Sequence, residues 1–353
     1  MRTLKRNKIL IAFAVLILFF SFLASLILTS FGSVEVQSLR LDTQNNQYII
    51  YDLYKPKEAT KENKAPFIAI IPGFQRSKEA LSNIAIELSR RGYVVALIDP
   101  YAQGLSSSSL STRAATTEGY GMFSLVKYVH SGAFDFIDIN KIGATGHSMG
   151  GNAAIRGADY FGKKAIQDNT ISMLNSVYVS GYVLTLRDRI LKDSRSNMGI
   201  SYALYDEGAF RNELTGWDAA NMKIAPESLR TINNVLNEEE KINNVEIGKY
   251  YGKKENQTLR VVFNEPVLHP FQPYNFEATR NQLNYFEKVF GAPKKIDNNN
   301  QIWHWKELLT LFNMILALVM LIPIAKLFLD LKFFRSLSKR IPEALPKQSK
   351  KAK

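Results

Sequence analysis

The chain has 353 residues, no cysteine and a formal net charge of +13. Without cysteine there is no disulfide framework, no thiolate metal site and no Cys nucleophile, and no clustered metal ligands are visible, so neither metal nor cofactor is expected. The charge sits at the ends: Arg2, Lys5, Arg6 and Lys8 in residues 1–8, and eight Lys or Arg against the single Glu343 in residues 331–353. That leaves only about +2 for the middle, a distribution that follows the positive-inside rule of membrane proteins and speaks against nucleic acid as a partner.

From Ile9 to Phe31 the sequence is uncharged and long enough to cross a hydrocarbon layer as a helix. Its apolar core exceeds that of a signal peptide, so an uncleaved anchor over 9–31 is expected, with 1–8 as a cytoplasmic basic tail. A cleaved signal peptide competes, because small residues near Ser30 and Gly32 partly fit a cleavage site. Residues 32–305 then form the expected extracytoplasmic domain. It opens with two strands, Ser33–Leu41 and Gln47–Tyr54, joined by a polar turn at Asn45 and Asn46. The apolar run Phe67–Ile71, a helical period over Glu79–Arg91 and a second apolar run Tyr93–Ile98 make a βαβ unit, which implies parallel strands. A helix over Glu118–His130 and a strand over Lys141–Thr145 follow.

After that strand comes Gly146-His147-Ser148-Met149-Gly150-Gly151, then the small, helix-compatible Asn152-Ala153-Ala154-Ile155. A G-x-S-x-G sequence on a strand-to-helix turn forces the serine into a strained backbone conformation, with glycines on either side because a Cβ would collide with neighbouring elements. The serine hydroxyl then stands above the helix N-terminus, where the dipole and free N–H groups favour the negative charge of acyl transfer.

Residues 66–155 resemble the central part of an α/β-hydrolase, close to the lipase, esterase and cutinase-like or platelet-activating-factor acetylhydrolase-like branches. The match runs through four segments in order: the strand ending in IPGF, the helix followed by RRGYVVALIDP, the segment AQGLSS, and the strand and elbow KIGATGHSMGG. The resemblance implies a mostly parallel sheet flanked by helices, with Ser148 as nucleophile. It assigns the oxyanion donors to the backbone N–H groups of Met149 and Phe74, and gives Asp99 a loop-organising position.

A serine needs a base. Of the four histidines, His147 lies inside the elbow, His130 ends a helix before it, and His304 adjoins the second apolar segment. His269 remains, in a loop between a strand Leu259–Phe263 and a helix that Asn275 caps and Gly291 ends. The loop after the last strand is where the resembled family keeps its histidine. The acid is expected between serine and histidine: Asp206, directly after a strand Gly199–Tyr205, with Glu207 as its rival and Asp188 and Asp193 as further candidates after the strand Ser176–Gly181. Between Asp206 and His269 lie 62 residues, with helices expected over Pro226–Asn237 and Glu238–Lys249. This insertion, about 207–257, is a candidate lid or partner surface.

Leu308–Leu329 is the second expected span, broken only by Asn313, Pro323 and Lys326, with Trp303 and Trp305 ahead of it at interface positions and residues 330–353 as a second cytoplasmic tail. The predicted function is hydrolysis of carboxylic esters, lipid esters among them, through an acyl-enzyme. Peptidase or acyltransferase chemistry on the same residues and a catalytically idle binding module are the alternatives. A dinucleotide-binding reading of GATGHSMGG fails, because two βα units precede Gly143 and that fingerprint opens its domain.

Overall fold

The computed structural model describes residues 2–337, of residues 2–7 the backbone alone; Met1 and most of the expected tail 330–353 lie outside the described residues. Helix α1 spans Arg2–Leu28, three residues short of the expected end at 31, and Thr29–Ser33 turn through positive φ at Ser30, Phe31 and Gly32. Next comes the antiparallel hairpin of β1 (Val34–Asp42) and β2 (Tyr48–Pro56), whose turn holds Asn45 and Asn46 at positive φ, a region asparagine tolerates better than most residues.

Strand β3 (Ala65–Ile71), helix α2 (Ser82–Arg90) and strand β4 (Val94–Ile98) form the expected βαβ unit, the helix entered through a 3-10 turn over Lys78–Leu81. A short α3 (Ala114–Thr117) and α4 (Met122–His130) lead to β5 (Ile137–His147) and the long α5 (Met149–Gln167). Strand β6 (Ser176–Ser180), the turn α6 (Asp188–Leu191), β7 (Asn197–Ser201), α7 (Pro226–Asn233), β8 (Arg260–Phe263) and α8 (Phe276–Phe290) complete the sheet and its cover. The eight strands lie in the order β1-β2-β4-β3-β5-β6-β7-β8, parallel from β4 onward. β3 and β4 are buried along their whole length, as strands covered by helices on both faces must be.

Two sequence expectations are corrected in the second half. β7 stops at Ser201 instead of running to Tyr205, because Tyr202, Leu204 and Tyr205 leave the ladder to donate to Phe263, Glu265 and Val267 at 3.1, 2.8 and 3.2 Å. Glu238–Lys249 is no helix: only a 3-10 turn forms at Glu238–Glu240, and Gly248 takes φ +81°. The insertion contributes Ala220, Met222, Ala225, Ile232 and Val245 to the main hydrophobic core, so it is built into the domain.

Helix α9 spans Trp303–Asp330 and contains Pro323 without ending there. It starts five residues before the expected 308. Trp303 is only 4% exposed and packs on Tyr274 and Phe276, at 6.4 and 5.1 Å between ring centroids, and so does not serve as an interfacial anchor. α1 and α9 are long and apolar enough to cross a membrane. They meet through Phe20 and Phe312 and through Asn313 Nδ2, which donates to Ser21 Oγ at 3.0 Å. The chain divides into two compact units, this helix pair and Leu26–His304.

The latter unit is closed at its end by a buried ionic network. Glu87 on α2 accepts from the backbone N–H groups of Ile302 and Trp303 at 2.6 and 3.0 Å and from Arg91 at 2.7 Å. Arg91 also donates to Asn298 Oδ1 and to the Asp297 carbonyl, both at 2.8 Å.

Candidate active site

Ser148 stands where β5 meets α5, with φ 56° and ψ −121°, a conformation L side chains rarely adopt. Its N–H donates to the Ser180 carbonyl at 2.8 Å and its carbonyl accepts from Asn152 N–H at 3.1 Å. The turn closes this tightly because neighbouring backbones touch: a Cβ at Gly150 would lie 1.9 Å from the Ile71 carbonyl oxygen, and one at Gly146 2.3 Å from the Gly150 carbonyl carbon. The strain is therefore held by β3 packed against the elbow.

The expected histidine reaches the same place from the far side of the sheet. His269 opens a 3-10 segment, His269–Tyr274, and lines with Ser148 a cleft of about 350 Å³, whose wall also includes Gly73, Phe74, Arg76, His147 and Glu207. Its Nδ1 lies 2.7 Å from Asp206 Oδ2. Asp206 is 9% exposed, and its second oxygen accepts from Gly208 N–H at 2.7 Å. The hydrogen bonds that carry residues 202–205 along the chain after β8 set this encounter. Glu207, the rival acid, meets the histidine at its backbone instead, accepting from His269 N–H at 3.3 Å. Asp188 lies in α6 and Asp193 is 3.9 Å from Lys163, so neither is brought to the imidazole. Among the described residues no hydrogen bond joins Ser148 Oγ to the His269 ring, although both residues line the one cleft.

Phe74 and Met149, the expected oxyanion donors, flank the serine. Gly73 brings the first strand turn in, a Cβ there lying 3.2 Å from Ser148 Cβ, and Met149 is the first residue of α5. Asp99 organises its loop as expected, accepting from Lys78 N–H at 2.8 Å and Leu105 N–H at 3.0 Å. His130 lies at the end of α4, and His304 packs at a tilt on Phe276, 5.0 Å between ring centroids. Of the insertion, Glu207 alone is among the residues lining the cleft.

Sequence reasoning missed two groups. His147 packs its ring 4.5 Å from that of His269 and places Nδ1 3.1 Å from Ser180 Oγ. Burial, then the neighbouring His269 and Arg76, push its pKa well below the ordinary 6.5. A neutral ring there avoids repelling a proton on its neighbour. The second is Glu265, 2% exposed beneath the loops. It accepts from Ser201 Oγ at 2.8 Å, Gln272 Nε2 at 3.2 Å and Asn281 Nδ2 at 2.9 Å, tying the end of β7, the segment after His269 and α8 to one carboxylate. Burial pushes its pKa up despite these donors. Only the adjacency of His147 to Ser148 was visible in sequence; Glu265 carries no local signal.

The family described as PETase, PET hydrolase-like, matches residues 23–178. A search of the curated proteins found no match. Among solved structures, the Pyrococcus furiosus esterase Pf2001 is 13% identical, covering 73% of this chain and 94% of its own, with a TM-score of 0.49. Esterase 2 of Thermogutta terrifontis with butyrate bound is 14% identical over 75% and 97%, with a TM-score of 0.49. A CIB-like hydrolase from Thermoplasma acidophilum is 14% identical over 72% and 99%, with a TM-score of 0.41. The strand order and the elbow have the form of the α/β-hydrolase fold. The family match covers under half of the chain and includes the elbow at Ser148, a likeness to hydrolases over that part.

Proposed function

We propose that the protein is a membrane-anchored hydrolase of carboxylic esters that works through an acyl-enzyme on Ser148. The carrying observation is the strained Ser148 sharing one cleft with a histidine whose Nδ1 is bound to a buried aspartate. Asp206 holds the His269 tautomer with its proton on Nδ1, and Nε2 removes the proton of Ser148 as the hydroxyl attacks the ester carbonyl. That Ser–His hydrogen bond forms as substrate fills the cleft. The oxyanion is held by the N–H groups of Phe74 and Met149, which no backbone carbonyl among the described residues engages. His269 then returns the proton to the leaving alcohol, and water, activated by the same imidazole, releases the acid.

The helix pair supplies the anchor, and the basic residues beside both apolar segments favour placing those ends on the cytoplasmic side, with residues 32–305 outside. Lipid or other apolar esters are then within reach. Fluorophosphonate labelling of the full chain in detergent, together with turnover of an ester series of rising acyl length, tests the chemistry. Labelling lost in Ser148→Ala supports it, and folded protein that neither labels nor turns over an ester refutes it.

A further inference from the structure

Beside the cleft lies a larger cavity of about 780 Å³ that shares Phe74 and Arg76 with it and reaches Met149 and Asn152 at the start of α5. His269 lines the cleft and not this cavity. Resting on the serine hydrolase reading above, this asymmetry orients the substrate. The leaving oxygen must meet the protonated imidazole, so the alcohol departs on the His269 side. The acyl group, its carbonyl oxygen held between Phe74 and Met149, extends into the larger space.

That space is not built for a plain hydrocarbon. No Asp or Glu is among its lining residues, whereas Arg76 and Arg113 are, together with hydroxyls such as Ser109, Ser111 and Thr116. Neither arginine has an ion-pair partner among the described residues, and both are exposed. Glu118 hydrogen-bonds Ser109 and Gln44 and stands outside the lining. Arg156, on α5, has a buried Nε without a hydrogen-bond partner. Its guanidinium pKa is lowered by burial and by the charges of Arg189 and Arg113, against the opposing pull of Asp159. Asp159 is itself paired with Lys163 at 2.8 Å. Arg76 and Arg113 thus bring positive charge to a lining that contains no carboxylate, next to the position of the acyl chain.

We propose that the acyl group of the natural substrate carries an anionic group, as in a half-ester of a dicarboxylic acid, seated against Arg76 and Arg113. Two 4-nitrophenyl esters of equal chain length, the monoadipate and the hexanoate, provide the test on the full chain in detergent, with the buffer rate subtracted. At low ionic strength kcat/KM is expected to favour the monoadipate about tenfold or more, the worth of one charge-assisted contact. The ratio should fall towards one in about 1 M salt and in the Arg76→Gln/Arg113→Gln double variant, and return in part with Arg113→Lys. A ratio at or below one in the unaltered protein, or a preference that survives the double variant, overturns the inference. So does failure to turn over either ester by protein whose Ser148 still labels. Loss of labelling itself would instead strike the hydrolase reading beneath it.

Discussion

Ser148 is held by backbone packed against backbone, whereas His269 and Asp206 are held by hydrogen bonds, from side chains and backbone alike, that join three elements. On the serine side, β3 and the elbow approach so closely that two glycines leave no room for a methyl group. On the histidine side, Glu265 gathers Ser201, Gln272 and Asn281, and the segment 202–205 follows the chain beyond β8 by hydrogen bonds. A steric lock of the first kind is local and intolerant; a polar mesh of the second kind spans long separations and yields by degrees.

The two walls should therefore break differently. The harshest change is Gly150→Ala, whose Cβ would fall 1.9 Å from the Ile71 carbonyl oxygen. We expect destabilisation beyond about 4 kcal/mol, read as lost soluble protein or a collapsed thermal transition. Ser148→Ala should leave the melting temperature nearly unchanged and lower ester turnover by roughly 10³-fold or more. Asp206→Asn should lower turnover about 10²- to 10⁴-fold by freeing the wrong tautomer, and a fully active variant would pass the acid's role to another residue. Glu265→Gln keeps one accepting oxygen and turns an amide N–H₂ toward the donor or donors on the other side: Asn281, or Ser201 and Gln272. Its cost is about 1–3 kcal/mol in urea unfolding, with a fall in turnover that tracks the loosened histidine loop.

The smallest effect concerns pH. His147 is kept neutral in the folded protein, so the unfolded chain takes its proton first as the pH drops below the ordinary 6.5. Its contribution to stability is present above that value and is lost on acidification, by at most about 1.4 kcal/mol per pH unit. Denaturant unfolding from pH 7.5 to 5.5 should fall less steeply in His147→Asn than in the parent; equal slopes would contradict the assignment.

The contrast also explains what was legible in the sequence. The elbow, the βαβ unit and the Asn275 cap are written in contiguous residues and appear where the pattern put them. Asp206 meets His269 by a route the sequence did not suggest: the strand ends at Ser201, and the aspartate arrives on an extended segment that pairs outside the ladder. The expected helix after Glu238 failed because its acidic start is followed by Asn243, Asn244 and Gly248, residues that favour turns. Glu265 and the ring contact of His147 depend on neighbours 64 and more than 100 residues away, a distance that periodicity does not span.

The staple between Glu87, Arg91 and residues 297–303 sets where the catalytic unit can be cut free of its apolar helices. Trimming after α8 would strip the buried Glu87 and Arg91 of the backbone groups that satisfy them and leave only their ion pair to hold that end closed. A water-soluble version must therefore keep the chain through Trp303 and accept that tryptophan as part of its core.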